Sequence, residues 1–330
     1  MLLALPCLGW KGVFILAFDN TEKNSVQRMI MEKKQQRSNR LSFEKIVPGL
    51  LLLTAIISVL TTIGIVFTLI FETVTFFTEI PLKEFFTADK WYPFSKTDAS
   101  YGILPLVSGT LKVTAIAALV AVPIGLASAI YLSEYASDKT RRVIKPILEV
   151  LAGIPTIVYG FFALTFVTPV LQKIIPSLEI FNALSPGIVI GIMITPMIAS
   201  LSEDAMSSVP NSIREGAFAL GATKFETAIK VILPAALSGI LASIVLALSR
   251  AIGETMIVSV AGGSTPNMSM DVTTSIQTMT AYIVQVSTGD AGYGTTIYYS
   301  IYAVGMTLFV FTLAMNLLAQ FISRRFREEY

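Results

Sequence analysis

The sequence predicts an all-α membrane protein whose helices cross the bilayer six times. Of its 330 residues, 54% are hydrophobic and only 14% are charged, whereas a soluble globular domain carries about 25% charged residues. Six apolar stretches are each long enough to cross a hydrocarbon layer of about 30 Å as a helix. A polar segment with helix-capping signals separates the fourth stretch from the fifth, and it predicts a helix-turn-helix outside the bilayer.

The six predicted spans form a transmembrane domain over residues 46–323. They cover residues 47–71, 102–132, 146–170, 184–202, 234–261 and 295–322. The first is the clearest, because it contains no charged side chain. Proline interrupts three others, which membrane helices tolerate where neighbouring groups satisfy the freed backbone. We expect kinks or breaks at Pro123, Pro196 and the Gly153-Ile154-Pro155 triplet.

Lysine and arginine are distributed unevenly between the two sides of these spans. Of the 24 such residues, 18 lie in the two tails, the 133–145 loop and the 206–233 segment. Four lie in the opposite loops and two lie within spans. Positive residues accumulate on the cytoplasmic side of membrane proteins. Both termini and the 206–233 segment are therefore predicted to be cytoplasmic.

The terminal segments, residues 1–45 and 324–330, are predicted to be cytoplasmic tails. Residues 1–18 are apolar but too short and too interrupted to form a span. We expect the natural start at Met29 or Met31, with the first 28 or 30 residues outside the native protein. The alternative is a genuine peripheral or additional hydrophobic segment.

Composition excludes several kinds of chemistry. The chain has no histidine and one cysteine, Cys7, which removes histidine general-base catalysis, disulfides and Cys/His metal sites. It also lacks a G-x-x-x-x-G-K-[ST] nucleotide loop. If transport by this chain uses ATP, another chain must therefore hydrolyse it.

The polar segment between the fourth and fifth spans, residues 206–233, is expected to form two short helices. Ser212–Glu215 and Thr223–Glu226 both have the S/T-x-x-E form of a capping box. Gly221 lies between them, where a helix end favours a residue that tolerates positive φ. Pro234 stands where the next helix is expected to start.

This segment resembles the EAA loop of ABC-importer permeases, written E-A-A-x3-G-x9-I-x-L-P. The matching positions are Glu215, Gly216, Ala217, Gly221, Leu233 and Pro234. Gly216 replaces the middle alanine and Val231 replaces the isoleucine. In that family the loop docks into a cleft of the ATPase subunit, so the resemblance implies that these residues couple the chain to an ATPase. A generic cytoplasmic helical hairpin is the alternative.

Two charges within the predicted fifth span are candidates for a substrate pathway, because charges there are costly and usually functional. Arg250 and Glu254 are four residues apart, so on one helix they share a face. Arginine presents a planar fork of donors that suits a tetrahedral oxyanion. A neighbouring carboxylate accepts a hydrogen bond from a protonated oxyanion, which favours hydrogen phosphate over sulfate. The alternative is a structural ion pair within the helix.

Two further polar positions are weaker candidates for the pathway. Lys112, near the outer end of the second span, is either a pathway residue or a lysine that snorkels to the interface. Thr255 adds a hydroxyl donor, although such residues also bridge membrane helices. Glu203 and Asp204 are interpreted as the solvated end of the fourth span.

A narrower resemblance covers most of residues 100–322. Gly153–Leu164, Ser200–Pro210 and Ser249–Ser259, together with the EAA-like loop, are similar to the PstC-type permease of the phosphate importer. The R-A-x-G-E core also occurs in sulfate and molybdate permeases, where G-E-F-G is the usual continuation. Here Thr255 and Met256 follow Glu254, which favours phosphate.

The resemblance implies a half-pore in a bacterial plasma membrane. A PstA-type sister permease forms the other half, two PstB-type ATPases dock on the EAA-like loops, and a PstS-type protein delivers phosphate from outside. The resemblance also implies that this chain is not an enzyme and binds no cofactor itself, and that nucleic acid has no part in the assembly. The alternatives are a permease for sulfate, molybdate or phosphonate, and an ATP-independent channel or carrier, which has no need of an EAA-like loop.

Overall fold

The structure, a computed structural model, describes residues 47–95, 97–289 and 291–325, and it divides into two units, Met1–Phe67 and Thr68–Tyr330. The described residues are mostly helical, which confirms the predicted all-α class. The expectations about the start site, the N-terminal tail and residues 326–330 lie outside the described residues.

The first helix, α1, runs from Val47 to Glu79 and crosses the boundary between the units. Its part in the first unit, residues 47–67, is apolar and almost entirely exposed. A helix with this surface is stable in hydrocarbon, because all its backbone groups are paired within the helix.

The second unit begins with an aromatic cluster. The end of α1 is followed by α2 (Leu82–Thr87) and by a two-stranded antiparallel hairpin, β1 (Trp91–Tyr92) and β2 (Ser100–Tyr101). Phe76, Phe85 and Trp91 are fully buried here. Trp91 meets Tyr282 edge-to-face with ring centroids 4.8 Å apart, a preferred geometry for aromatic pairs. Phe76, Phe85 and Trp91, which follow the first predicted span, thus form a buried core with Tyr282.

Two long helices form the centre of this unit. Helix α3 (Leu104–Ile130) continues through a π-helical stretch, Tyr131–Tyr135, and packs against α7 (Leu184–Ser207). A Cβ at Gly187 would lie 2.7 Å from the Ile116 Cβ, and a Cβ at Gly191 2.8 Å from the Val120 Cβ. Small residues four apart thus allow close approach, as is usual between membrane helices. Both helices continue through their internal prolines.

The predicted third span is interrupted at the Gly153-Ile154-Pro155 triplet, as expected. Helix α4 (Asp138–Ala152) meets the pair α5 (Thr156–Phe162) and α6 (Thr168–Gln172), which are joined by a π-helical turn, at 85°. Proline disfavours helical conformation in the residue before it, so α4 ends there. The stretch expected to start at residue 146 therefore starts at Thr156, and residues 146–152 belong to α4.

The predicted fifth span, residues 234–261, is broken twice. Residues Lys224–Ala235 and Leu237–Ile252 meet at 73°, just after Pro234, whose ring and missing N–H disturb the preceding turn. The second part is α11 (Leu237–Ile252), and a gap at residues 253–255 separates it from α12 (Met256–Ala261).

The chain ends with α13 (Met279–Thr288) and α14 (Thr296–Arg325), so the expected loop 262–294 contains a helix. Among the described residues, four helices are long and apolar enough to cross a membrane, or six if each bent pair counts as one span. They begin at Val47, Leu104, Leu184 and Thr296.

Candidate coupling surface and substrate pathway

The 206–233 segment forms the expected helix-turn-helix. Helix α8 (Asn211–Ala219) and helix α9 (Lys224–Thr227) flank Gly221, whose φ of 86° is the left-handed conformation that glycine tolerates. A π-helical turn and α10 (Leu233–Ala235) follow α9. The predicted turn and its glycine are therefore confirmed.

The second predicted capping box is confirmed in both directions. The Thr223 hydroxyl accepts from the Glu226 N–H at 3.3 Å, and Glu226 Oε2 accepts from the Thr223 N–H at 3.1 Å. These bonds from the Thr223 backbone and hydroxyl, with help from Lys230, hold the pKa of Glu226 below its ordinary value because they stabilise the charged form.

The first predicted capping box is wrong. Helix α8 begins at Asn211 after Pro210, and no side chain caps it. Proline at position 210 fixes its own φ near −57°, a value compatible with an immediate helix start. Ser212 consequently lies within the helix, two residues after the N-cap position.

The tip of this segment is an exposed apolar surface. Leu220 is 91% exposed, Phe225 is 65% exposed, and Phe218 is also exposed. Glu215 and Gly216 lie on the exposed part of α8, and Ala217 is half-buried. Leu233 is half-buried and packs on the cluster of Met206 and Ile232, whereas Pro234 is exposed.

We name the exposed residues Glu215, Gly216, Phe218, Leu220 and Phe225 the coupling surface. Contiguous apolar residues on a surface usually mark an interaction site. The surface therefore has the character of a docking site for another chain.

A residue that sequence reasoning missed, Arg214, fixes α8 to the rest of the chain. Its guanidinium donates to the Met206 carbonyl at 2.7 Å and to the Val209 carbonyl at 2.6 Å. It also donates to Glu134 Oε1 at 3.2 and 3.3 Å. Arg214 occupies the third position of the supposed S-x-x-E box, where the pattern assigns it no role.

Arg250 and Glu254 do not share a helix, contrary to the expectation. Helix α11 ends at Ile252, and Glu254 lies beyond the break. The buried Glu254 carboxylate accepts from the backbone N–H groups of Met256 and Ile257 at 3.1 and 3.3 Å. It thereby satisfies the free N–H groups at the start of α12.

Arg250 is exposed near the end of α11, and within the described part of the chain it makes neither an ion pair nor a hydrogen bond through its side chain. The structural alternative, an intrahelical ion pair, is therefore wrong. The guanidinium donors remain available to a ligand or to another chain.

Thr255 sits in the break between α11 and α12. Its hydroxyl donates to the Gly253 carbonyl at 3.2 Å, within its own turn. The hydroxyl of Thr280 donates to the Glu254 carbonyl at 2.8 Å. These contacts fix the break against the start of α13.

Lys112 is buried rather than extended to an interface. Its ammonium donates to the carbonyls of Asn267 at 3.3 Å and of Ser269. Asp271, in the same loop, has its pKa lowered by the N–H and hydroxyl of Thr273 and by the Lys112 charge. The structure thus places Lys112 and the Glu254 break against one segment, residues 262–280, although the two lie on different helices.

Glu203 is fully buried, so its interpretation as a solvated helix end is wrong. It pairs with Arg141 and with Lys145, whose ammonium lies 2.8 Å from Glu203 Oε2. Asp204 remains exposed and binds Lys145 at 2.6 Å. Glu203 is buried as a charged group because α4 brings two cations, Arg141 and Lys145, to it.

Comparison with known proteins identifies the family. Residues 121–328 match the family of binding-protein-dependent transport system inner membrane components. The chain is 37% identical over 245 residues to the probable ABC transporter permease protein YqgH of Bacillus subtilis, which covers 73% of this chain and 78% of that protein. It is 33% identical over 278 residues to the phosphate transport system permease protein PstC 1 of Mycobacterium tuberculosis, covering 73% and 81%.

A solved inward-facing structure of the MetNI methionine ABC transporter has the same fold. It matches 68% of this chain and 98% of that chain with a TM-score of 0.53 and 20% identity. This chain therefore belongs to the family of binding-protein-dependent transport system inner membrane components.

Proposed function

We propose that this chain is a translocation subunit of an ATP-driven importer of inorganic phosphate. The observation that supports phosphate as the substrate is the similarity of this chain to permeases named for phosphate transport, at 31% to 37% identity. The R-A-I-G-E-T-M sequence around Arg250, which lacks the G-E-F-G continuation of sulfate and molybdate permeases, supports the same substrate.

The coupling surface supports a separate ATPase as the motor. Its exposed Leu220 and Phe225 side chains flank the Gly221 turn, which presents them together at the tip of the segment. Two PstB-type ATPase subunits dock here and on the sister permease, and this chain itself hydrolyses nothing. A PstA-type permease completes the pore, and a PstS-type binding protein delivers phosphate.

Arg250 is the residue we assign to the phosphate path. Its guanidinium is exposed, and the part of the chain that the structure describes offers it no carboxylate. A planar fork of N–H donors binds tetrahedral oxyanions well. Glu254 acts differently from our sequence-based hypothesis, because its carboxylate binds the start of α12 and so fixes the break beside Arg250.

Uptake by vesicles that carry the complete transporter tests this assignment. Arg250→Gln is expected to lower ATP-dependent uptake of labelled phosphate by more than about tenfold, since a charge-assisted contact is lost. Arg142→Gln, an exposed arginine of α4, is the matched control and is expected to keep wild-type uptake. Wild-type uptake by Arg250→Gln would remove this residue from the path.

The orientation of the chain in the membrane follows from assigning the coupling surface to ATPase docking. The 206–233 segment and both termini face the cytoplasm, where the ATPase subunits are, and the loop around residue 180 faces outward. The uneven distribution of lysine and arginine supports this orientation.

A further inference from the structure

Arg214 joins three segments that converge beneath the coupling surface. It lies in α8, donates to carbonyls at the end of α7, and pairs with Glu134 in the π-helical end of the α3 helix. Within the described residues, no other α8 side chain hydrogen-bonds to the helix Leu104–Tyr135. The Arg214–Glu134 pair is therefore the direct polar link between α8 and that helix.

This pair is partly buried, unlike the exposed coupling surface. Arg214 is 14% exposed and Glu134 is 7% exposed, whereas Glu215 and Leu220 are open to solvent. The Glu134 carboxylate is also held by the Ser133 hydroxyl at 2.9 Å. Separating the two groups would leave a partly desolvated charge without its partner, so the link resists separation.

The helix that carries Glu134 extends to the other end of the unit. It runs without a break from Leu104 to Tyr135, and Lys112 and Glu134 are separated by about 33 Å at 1.5 Å per residue. Lys112 is bonded to the carbonyls of Asn267 and Ser269 at that far end. One continuous helix thus has two polar anchors, Glu134 to the coupling segment and Lys112 to the 262–280 segment.

We propose that Arg214 is a positioning residue that transmits movement of the coupling segment to α3 through Glu134. This inference rests on the proposed function, because it assigns a consequence to ATPase docking. Displacement of α8 moves Glu134 with it, and the unbroken helix carries that displacement toward Lys112. Allosteric coupling between two sites requires a structural element whose conformational equilibrium both sites shift. In this proposal the helix Leu104–Tyr135 is that element.

The reconstituted importer, with all its subunits, provides the first test. Glu134→Gln and Arg214→Gln are expected to keep the ATPase bound and active while phosphate transported per ATP falls about tenfold, a typical allosteric coupling factor. Arg214→Lys keeps the charge but loses the planar fork of guanidinium donors. Its ratio of phosphate to ATP is expected to lie between that of these two variants and that of wild type. The double variant is expected to be no worse than Arg214→Gln, because both changes break one interaction.

Arg142→Gln is the matched control, and its ratio of phosphate to ATP is expected to equal that of wild type. A wild-type ratio in Glu134→Gln would overturn the proposal. So would an Arg214→Gln variant that loses ATPase binding and hydrolysis together, since the residue would then only hold the docking surface in shape.

A distance measurement separates this proposal from the identity of the substrate. Spin labels at Tyr135 and Ser212, both exposed and both outside the coupling surface, are placed in the Cys7→Ser background and measured without phosphate. A narrow distribution in the complex that broadens in Glu134→Gln supports the proposal, and an unchanged width contradicts it. If the wild-type complex transports no phosphate, the proposed function fails, while this measurement still decides the role of Arg214.

Discussion

At the scale of single residues, Glu254 is a buried carboxylate satisfied by backbone rather than by a cation. Its Oε1 accepts from two N–H groups at the start of α12, as a capping residue does. The buried charge is therefore compatible with an exposed Arg250 four residues earlier. Glu254 thus makes a structural contact, whereas we propose the exposed Arg250 for the ligand path.

Substitution of Glu254 distinguishes a cap from an ion pair. Glu254→Ala is expected to lower the free energy of unfolding by about 1 kcal/mol, as loss of a cap does. Glu254→Gln is expected to remain close to wild type, because its amide oxygen still accepts from the same N–H groups. Thermal denaturation in detergent measures both, and a Gln variant as unstable as the Ala variant would contradict the capping role.

The titration of Glu226 gives a second residue-scale prediction. Bonds from Thr223 and Lys230 lower its pKa from 4.5, so the cap stabilises α9 above that value and is lost as pH falls through the lowered pKa. Carbon NMR of labelled glutamate is expected to show titration below 4.5, with the signal assigned by Glu226→Gln. Thr223→Val is expected to move the pKa upward, and an unchanged titration in that variant would contradict the assignment.

A capping pattern in the sequence predicted the helix start correctly only where no preceding residue started the helix earlier. Thr223 follows Gly221 and a turn, so its hydroxyl becomes the cap. Pro210 is itself the N-cap of α8, so the helix starts two residues too early for Ser212 to cap it. The role of Arg214 was invisible in sequence because its partner, Glu134, is 80 residues away.

At the scale of elements, the Gly221 turn decides whether the coupling surface is presented. Gly221→Ala is expected to destabilise the turn by about 1–2 kcal/mol, because a Cβ is unfavourable at left-handed φ. Gly294→Ala is the matched control: Gly294 has a similar positive φ of 81°, a Cβ there meets nothing within 4 Å, and the residue lies outside the coupling surface. Co-purification of the ATPase is expected to fall only for Gly221→Ala, and equal yields for the two variants would contradict the role of the turn.

The contact between α3 and α7 gives another element-scale prediction. Gly187→Ala is expected to cost about 1–3 kcal/mol, the usual price of overpacking, because its Cβ would lie 2.7 Å from the Ile116 side chain. Gly49→Ala, where a Cβ meets nothing within 4 Å, is the control. Thermal denaturation of the two proteins checks this, and equal stabilities would show that the helices separate readily.

Hydropathy located the apolar segments but not their internal breaks. Hydrophobic residues continue through residues 234–261, and nothing in that run marks the end of α11 except Gly253 and the polar Glu254 and Thr255. The break at Pro155 was predictable because proline acts locally. The aromatic core around Trp91 was not, because its partner Tyr282 is distant in sequence.

At the scale of the whole molecule, all the functional assignments depend on the orientation of the chain in the membrane. Single cysteines at Leu220 and Ile180, both exposed, are introduced in the Cys7→Ser background. An impermeant maleimide applied to intact cells is expected to label position 180 and not position 220. Labelling of position 220 would place the coupling surface outside and contradict ATPase docking.

The measurement that tests the central claim most directly is uptake of labelled phosphate by proteoliposomes that contain the complete transporter. We expect uptake that requires ATP on the side of the coupling surface and that continues in the presence of excess sulfate. Uptake without ATP would indicate a channel or carrier, and its abolition by sulfate would indicate a different oxyanion. Either result would contradict the assignment of this chain to an ATP-driven phosphate importer.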